Sequence, residues 1–507
     1  MSTKQLAPAG LSRTQRWLAL GVLSLAVLLI AVDATVLAVA TPFLSEDLQP
    51  TGVQLLWIGD AYGFVIAGLL VSMGSLGDRI GRKRLLLAGA TAFGLISILN
   101  AYAPNAEVMI AARALLGVAG ATLMPSTLAL IRNIFVDDRE RTLAIGVWGA
   151  MSSAGMAIGP ILGGFLLEHF WWGSVFLINV PVMVILVVVG AKLLPESKSS
   201  HAGAWDLPSV GLSLAGMFGI VYAIKEVFAV GLRIDVVIAT LIGIPAIVVY
   251  VRRQQRLTTP LLDLSLFKNR RFGSSVLADL LAIFAMSGLV FFLSQYFQLV
   301  QGYRPLMAGL AELPAVVGSV VFGLLAGRIG QRIGARTAIL IGMLALSLPL
   351  IALVFIHAST PYPVLAVILL VVGSGAGLTF TLTADLILSS APAEQAGAAS
   401  GVSETAYELG GALGIAVIGS VVTAVFRGFA APAGIPADVV AAARESLGGA
   451  VHAAEALPGD TGQALLQAAQ VAFTDGLRLA GLIAGLVLLA ATFVINRAMR
   501  DRGVVRS

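Results

Sequence analysis

The chain has no cysteine and few charged residues. Cysteine is absent from its 507 residues, only four residues are histidine, and charged residues make up 12% of the total. Without cysteine there is neither a disulfide framework nor a thiolate metal site. The sequence also has no G-x-x-x-x-G-K-[ST] phosphate-binding loop, the motif that holds nucleotide phosphates in many ATPases. The histidines all lie in predicted loops: His169, His201, His357 and His452. We therefore expect no metal, no cofactor and no drive by ATP.

Long apolar runs make up most of the sequence. Hydrophobic residues account for 58% of the chain, and its mean hydropathy is +0.95. Soluble domains carry about 25% charged residues, so this composition argues against an aqueous fold. The runs repeat near the roughly 20 residues that cross a bilayer, and they predict an all-α integral membrane protein. The predicted spans are 17–41, 54–75, 84–103, 107–128, 142–167, 173–194, 207–227, 235–252, 273–299, 305–327, 337–357, 362–388, 398–425 and 474–497.

The basic residues are distributed unevenly between alternate loops. With the N-terminus inside, inner segments hold 25 Lys and Arg and outer segments hold six, while Arg113 is intramembrane. Basic residues collect in cytoplasmic loops, so both termini are predicted to be cytoplasmic. The net charge of +5 follows from this topology and does not call for a nucleic-acid partner. The apolar run 17–40 exceeds the roughly 7–15 residues of a signal-peptide core and is interpreted as a retained first helix.

Two similar segments divide the chain into halves. Residues 74–83 follow the second predicted helix, residues 327–336 follow the tenth, and Gly, Gly, Arg and Gly recur at matching offsets. Internal repeats of this kind are typical of transporters. We predict a six-helix bundle over 1–200, a two-helix insert over 201–256 and a second six-helix bundle over 257–507.

The predicted outer loop 427–473 is long and rich in alanine. Its apolar residues recur at helical spacing: Val440, Ala443, Leu447 and Val451. The loop is either a structured extracellular hairpin or a partly ordered surface segment.

Several ionisable residues fall inside the predicted spans. A charge near the bilayer centre costs about 2.5–3.5 kcal/mol on insertion scales, so such residues are candidates for function. Glu404 and Glu408 lie four apart on one helix face, where each carboxylate disfavours ionisation of the other; the alternative is that neighbouring polar groups cap both. Arg113 is expected to pair with an acid or with carbonyl groups, for coupling or for structure alone. The further candidates are Asp33, Asp60, Glu312 and Asp279, and the alternative for Asp279 is a helix-end residue. Asp385, near the inner end of the twelfth predicted helix, is interpreted as a terminal or loop contact.

Four aromatic residues are candidates for a substrate cavity. Trp57 and Tyr62 lie near Asp60, and an acid beside aromatic faces suits a lipophilic cation; the alternative places Asp60 in an outer vestibule. Trp148 and Tyr407 flank two of the motifs described next. Glu312, just before Pro314, is either a further cavity acid or a residue of the outer vestibule.

The chain resembles the major facilitator superfamily over almost its whole length, and two motifs carry this resemblance. The loop after the second helix resembles the superfamily's signature loop, and the fifth helix resembles the motif of its antiporter branches. The resemblance implies a conformational latch at the loop, where Asp78 can lie at a helix N-terminus or pair with an arginine. At the fifth helix it implies close helix packing with a hinge. The loop residues are Gly74, Gly77, Asp78, Arg79, Gly81 and Arg82, and those of the fifth helix are Gly155, Gly159, Pro160, Gly163 and Gly164.

Three further segments narrow the resemblance. Residues 33–42, 172–181 and 404–410 are similar to the fourteen-helix drug:proton antiporters, the quaternary-ammonium efflux pumps of the QacA, SmvA and LfrA type. This implies proton-driven export of lipophilic cations across a bacterial inner membrane. It also implies a monomer whose partners are protons, substrate and membrane lipids. It also implies that Asp33, Glu404 and Glu408 exchange protons for substrate. Gly77, commonly alanine in the superfamily, and Gln331, which replaces the acid in the second-half loop, depart from the pattern.

Two other classes of function compete with this one. An exporter of an endogenous metabolite or lipid would share the fold, although the acid-rich interior favours cations over anions. A membrane-embedded enzyme or receptor would need a nucleophile–base pair or a metal site, and the sequence offers neither histidines nor cysteines for one.

The topology can be tested with reporter fusions. We expect fusions after Ser200 and after Arg256 both to report a cytoplasmic location, because the insert crosses the membrane twice. An external signal at either position would contradict the fourteen-span count.

Overall fold

The structure is a computed structural model that describes residues 11–198 and 205–499. Its long helices are numbered here in chain order: α1 Arg13–Leu48, α2 Gly52–Ile80, α3 Arg82–Ala101, α4 Ala106–Ile134, α5 Asp138–His169, α6 Asn179–Leu193, α7 Leu207–Val230, α8 Ile234–Arg256, α9 Arg270–Gln295, α10 Leu313–Ile333, α11 Ala335–Ala352, α12 Tyr362–Ser390, α13 Ala396–Arg427 and α14 Gly459–Ala498. Short helices cover Ser174–Leu177, Pro305–Ala311, Ala437–Glu445 and Leu447–Glu455, and short 3-10 or π segments cover Leu264–Lys268, Tyr296–Val300, Leu353–Phe355 and Ala393–Gln395.

The all-α class and the fourteen spans predicted from the sequence are confirmed within the described residues. Fourteen helices there are long and apolar enough to cross a membrane. The predicted boundary at 200/201 and both chain ends lie outside the described residues.

The predicted outer loop 427–473 is shorter than the sequence indicated. α14 begins at Gly459 instead of 474, and Ala437–Glu445 and Leu447–Glu455 are helical as well. Leu465, Ala469 and Phe473 are buried against the bundle, so the apolar stripe of α14 continues beyond the hydrophobic core of the membrane. Polar residues interleaved with that stripe lowered the hydropathy of 459–473, which is why the prediction started the helix too late.

Two predicted helices are interrupted. The sixth is divided into Ser174–Leu177 and Asn179–Leu193. The tenth is divided at Glu312, which separates Pro305–Ala311 from Leu313–Ile333. Pro314 lacks a backbone N–H, which is tolerated without loss of a hydrogen bond in the first turn of a helix, and this accounts for the restart at Leu313.

Helices of the first half pack mainly on one another, as do those of the second. α1 packs on α5 and α2 on α4, while α10 and α11 pack on α12 and α9 on α13. The two halves meet along α2–α13 and α5–α10. This packing is consistent with the predicted division at 200 and 256, which stays a prediction.

Glycine permits the close approach of the halves at the end of the bundle that we predict to be cytoplasmic. A methyl group at Gly397 of α13 would overlap the carbonyl oxygen of Gly74 and lie 2.7 Å from Asp78 Oδ1. On the other seam, a methyl group at Gly146 of α5 would lie 2.5 Å from the carbonyl oxygen of Gly323. Any larger residue at Gly74 or Gly397 would force the halves apart.

The inserted helices α7 and α8 form a hairpin over one of these seams. α7 packs on both α2 and α13, and the Ser213 hydroxyl donates a hydrogen bond to the Gly68 carbonyl at 3.0 Å. Arg253 of α8 bonds Asp206, before α7, at 2.7 and 2.8 Å. Hydrogen bonding from Arg253, followed by that from Ser209, holds the pKa of Asp206 below its ordinary value.

The glycine contact between the halves gives a labelling test. We expect Gly397→Ala to separate α2 from α13 and to open the predicted cytoplasmic end, because the new methyl group has no space there. The natural absence of cysteine makes Ala150→Cys, in the interior of the bundle, a single probe. Its labelling by an impermeant maleimide in inside-out vesicles should accelerate in Gly397→Ala.

Gly164→Ala is the matched control, since a methyl group there meets no atom within 4 Å. Equal labelling rates in both glycine variants would contradict a seam closed by the Gly74–Gly397 contact.

Candidate functional site

Asp78 joins the two halves at the predicted cytoplasmic end. Its carboxylate accepts hydrogen bonds from the backbone N–H groups of Gly397 and Ala398 at 2.9 and 3.0 Å, at the start of α13, where unpaired N–H groups favour an anion. Arg82, one turn along, donates to the same carboxylate at 2.8 and 2.6 Å and to the Ala393 carbonyl at 2.8 Å. Asp78 therefore both pairs with an arginine and caps a helix of the opposite half.

The other residues of the signature loop support this contact. Gly81 has φ +115°, a conformation that L side chains rarely adopt, and a methyl group there would lie 2.6 Å from Glu196. Gly77 lies against Leu85. The Arg79 side chain donates to the carbonyl oxygens of Thr259 and Pro260 at 3.3 and 3.4 Å, which ties the loop to the segment after the insert.

A second connection between the halves involves Asp385, which the sequence analysis interpreted as a terminal or loop contact. Asp385 of α12 accepts hydrogen bonds from Arg141 at 2.6 Å and from Thr142 at 2.8 Å, both on α5. On the other seam, Arg132 of α4 donates to the carbonyl oxygens of Ala391 and Pro392 at 2.5 and 3.1 Å. Gln331 cannot supply a carboxylate, so Asp385 provides the acid of the second half from a different helix.

Asp33 and Arg113 form a buried ion pair inside the first half. Arg113 Nη1 lies 2.9 Å from Asp33 Oδ2, and Asn179 donates to Asp33 Oδ1 at 2.9 Å. Arg113 also donates to the Ile58 carbonyl at 3.3 Å, and its guanidinium lies 4.7 Å from the centre of the Tyr62 ring. Asp33 and Arg113 are 0% and 1% exposed. The expected partner of Arg113 is therefore Asp33, one of the predicted exchange acids.

The predicted cavity aromatics divide into two groups. Tyr62 covers Arg113, and Trp57 stacks on Phe218 and Tyr222 of the insert with ring centres 5.7 and 6.3 Å apart. Trp148 and Tyr407 instead line a cavity between the halves, beside Phe380. The sequence could not separate the groups, because proximity to Asp60 in the chain did not reveal that α7 covers this part of α2.

Glu404 is the acid that faces this central cavity. The lining includes Trp148 and Phe380, whose rings stack 6.0 Å apart, together with Tyr407. Three methionines also line it: Met124, Met156 and Met286. Glu404 is 1% exposed, and both of its carboxylate oxygens are buried without a hydrogen-bond partner. Soft, adaptable methionines and aromatic faces around one carboxylate suit a flat lipophilic cation.

The remaining predicted acids are not among the residues that line this cavity. Glu408, one turn beyond Glu404 on α13, is half-buried. Asp60 is half-buried on α2. Glu312 lies at the break before α10, with one carboxylate oxygen buried and without a hydrogen-bond partner.

The glycine motif of α5 forms a contact with α1. Methyl groups at Gly155, Gly159 and Gly163 would overlap Leu28, Thr35 and Val36 of α1, respectively, so these glycines allow the two helices to pack backbone to backbone. Gly164 has open space beside it, and α5 continues through Pro160 as one helix. The motif thus packs within the first half.

Asp279 is a buried acid that the sequence analysis noted only as a possible helix-end residue. It lies on α9, is 0% exposed, and accepts hydrogen bonds from Thr383 at 3.2 Å and from Ser403, next to Glu404, at 3.1 Å. Its position ten residues into an apolar helix was the available signal, and serine and threonine on α12 and α13 are partners that chain order alone does not reveal.

Fourteen apolar helices in two packed halves, with an acid in a cavity between them, define a multi-pass membrane transporter. The sequence profile of the Major Facilitator Superfamily matches residues 23–415. The chain belongs to this superfamily, and its relatives indicate a transporter rather than an enzyme.

Relatives with curated names are similar over almost the whole chain. The multidrug efflux pump LfrA of Mycolicibacterium smegmatis is 46% identical, over 96% of this chain and 97% of its own length. The methyl viologen resistance protein SmvA of Salmonella typhimurium is 38% identical, over 96% and 99%. The multidrug resistance protein Stp of Mycobacterium tuberculosis is 31% identical, over 82% and 77%. These names support efflux of drugs as the general activity.

Solved structures share the fold. The human organic anion transporter MFSD10 aligns over 96% of this chain and all of its own with a TM-score of 0.59 at 16% identity. A bacterial homologue of the lysosomal transporter Spinster aligns over 96% and 98% with a TM-score of 0.53 at 17% identity. The predicted major facilitator fold is thereby confirmed.

The Asp78 contact predicts a separation of transport from binding. We expect Asp78→Asn to slow transport while equilibrium binding of drug in detergent changes only a few-fold, because Asp78 bonds α13 and Arg82 and lies outside the central cavity. Efflux rates and binding isotherms would be measured on the same preparations.

Glu455→Gln, which removes an exposed acid of a short helix, controls for loss of charge alone. A large loss of drug binding by correctly folded Asp78→Asn would contradict a purely conformational role.

Proposed function

We propose that this protein exports lipophilic, mainly cationic compounds, such as quaternary ammonium biocides and ethidium-like dyes, in exchange for protons. The observation that carries the proposal is Glu404. It is a buried carboxyl group without a hydrogen-bond partner, on the wall of a cavity lined by aromatic and methionine side chains. A buried carboxylate without a partner is costly, so the group is stable there only with a proton or with a bound cation.

A proton and a substrate cation therefore compete for the same group, the carboxylate of Glu404. When a lipophilic cation enters the cavity, Glu404 gives up its proton and supplies the counter-charge, while Trp148, Phe380 and Tyr407 contact the apolar body. When a proton returns from the outer side, the carboxyl group becomes neutral and the cation loses its counter-charge. Each inward proton charge contributes about 2.3 kcal/mol per 100 mV of membrane potential.

Asp33 and Glu408 take different parts in this scheme. Asp33 is held by Arg113 and Asn179, so it becomes available to a proton or a cation only when the ion pair separates in another conformation. Glu408 is half-buried on α13, one turn beyond Glu404, and it is proposed as a further acid on the route of the proton. Asp60 and Glu312 are proposed to draw protons towards the cavity from the outer side.

The contacts between the halves support alternating access. The bonds of Asp78, Arg82, Arg132 and Asp385 hold one end of the bundle closed, and we propose that this end is cytoplasmic, with both termini on that side of a bacterial inner membrane. Breaking these bonds would open the cavity to the cytoplasm. The protein would work as a monomer, surrounded by lipid, without a cofactor.

Gradient-driven efflux from proteoliposomes tests the proposal. We expect wild-type protein to export ethidium against its concentration gradient only when a proton gradient is imposed, and Glu404→Gln to abolish this transport, because glutamine can neither release a proton nor neutralise a cation. Trp148→Phe, which keeps an aromatic wall, should retain uphill transport.

A variant of Asp33 needs a paired control. Asp33→Asn leaves Arg113 as a buried charge without its acid, a change that costs about 3–5 kcal/mol in comparable pairs, so the double variant Asp33→Asn with Arg113→Gln separates stability from coupling.

Wild-type efflux that does not depend on the proton gradient would refute the proposed driving force, and full uphill efflux by Glu404→Gln would refute the proposed site.

A further inference from the structure

Asp279 and Glu404 lie at the same depth of the second half. Asp279 is nine residues from the start of α9 and Glu404 eight residues from the start of α13, about 12–14 Å along each helix at 1.5 Å per residue. The two helices touch closely, since a methyl group at Gly410 or Gly414 would overlap backbone of α9. Ser403 donates a hydrogen bond to Asp279, and the next residue of α13 is Glu404.

The hydrogen bonds around Asp279 fit a protonated carboxyl group. Thr383 Oγ1 lies 3.2 Å from Asp279 Oδ1, but also 2.9 and 3.0 Å from the carbonyl oxygens of Thr379 and Phe380. Carbonyl oxygens only accept, and a hydroxyl group has a single proton. Thr383 either donates to Asp279, as described above, or donates to Thr379 and accepts the proton of a neutral Asp279. Ser403 can still donate to the other oxygen of Asp279.

The charges around Asp279 lead to the same conclusion. The titratable groups of α13 nearest to it are Glu404 and Tyr407, with Glu408 one turn beyond Glu404, and nearby Asp385 of α12 is bonded to Arg141 and Thr142. Other charged residues of the elements that pack on α9 lie towards helix ends or outside the span, or pair with one another: Lys268, Arg270, Arg271, Arg336, Asp475, Arg478 and Arg497. Asp33, by contrast, has an arginine and an amide as partners.

We propose that Asp279 is a second proton-binding group, placed behind Glu404, so that the second half carries a two-carboxyl proton site whose inner member does not contact substrate. This inference rests on the proposed exchange of protons for cations. Glu404, buried and without a hydrogen-bond partner on the cavity wall, meets the substrate. Asp279 holds a proton while the cation occupies the cavity, and it ionises only when Glu404 is neutral, because two adjacent carboxylates in a dry site cannot both be charged.

The isosteric variant Asp279→Asn distinguishes proton binding by Asp279 from a role in folding or in substrate binding. Asparagine imitates the protonated acid and keeps the hydrogen bonds to Thr383 and Ser403, but it cannot release a proton. We expect ethidium binding in detergent to stay within about threefold of wild type, a difference below about 1 kcal/mol. Ethidium–ethidium exchange without a proton gradient should continue, whereas uphill efflux driven by the gradient should be lost.

Infrared difference spectroscopy gives a readout that does not depend on transport. The spectrum of wild-type protein taken across a pH titration should contain the carbonyl stretch of two buried protonated carboxyl groups, one of which disappears in Asp279→Asn and the other in Glu404→Gln. Ser347→Ala, which alters a buried serine elsewhere in the second half, is the control for both measurements.

The outcomes separate this inference from the proposed function. If wild-type efflux responds to the proton gradient and Asp279→Asn responds equally, Asp279 is not a proton-binding group. If Asp279→Asn loses binding and exchange together with uphill efflux, Asp279 supports the fold or the substrate, and the inference is again wrong. A wild-type protein without any response to the gradient would contradict the proposed function itself.

Discussion

The hydrogen bonds from the first backbone N–H groups of α13 to the carboxylate of Asp78 organise the contact between the two halves. They place a side chain of α2 at the positive end of a helix that belongs to the other bundle, and they require that Gly74 and Gly397 have no side chain. The same helix carries Glu404 seven residues after Gly397. The acid on the cavity wall and the anchor at the end of the bundle are thus parts of one rigid element, so a displacement of α13 at either position is transmitted to the other.

The buried ionisable residues of the two halves have different surroundings. In the first half Asp33 is neutralised by Arg113 and oriented by Asn179, an arrangement that is stable without any ligand. In the second half Asp279 and Glu404 have no described cation beside them, and their surroundings are hydroxyl groups, aromatic rings and methionine. A bundle interior of low polarity tolerates the first arrangement permanently and the second only with a bound positive charge. The asymmetry supports the proposal that protons and substrate bind in the second half.

The sequence predicted the architecture better than the partners of individual residues. Apolar runs and the repeated loop were sufficient for fourteen helices, because bilayer thickness imposes their length. Asp78 was recognised as a helix cap or arginine partner, and it is both. The pairing of Asp33 with Arg113, the location of Trp57 under the insert and the bond between Asp385 and Arg141 depend on how distant helices rotate against each other. Local spacing contains no information about that rotation, and without it Asp279 resembled a helix-end residue.

The hairpin of α7 and α8 covers one of the two seams between the halves and leaves the other uncovered. α7 lies across the line where α2 meets α13 and is bonded to α2 through Ser213, so hydrocarbon chains do not reach that line directly. The opposite line, where α5 meets α10, has no such cover among the described helices, and residues of both helices line the central cavity. An amphiphile dissolved in the bilayer therefore encounters one flank that the hairpin covers and one flank that it leaves open.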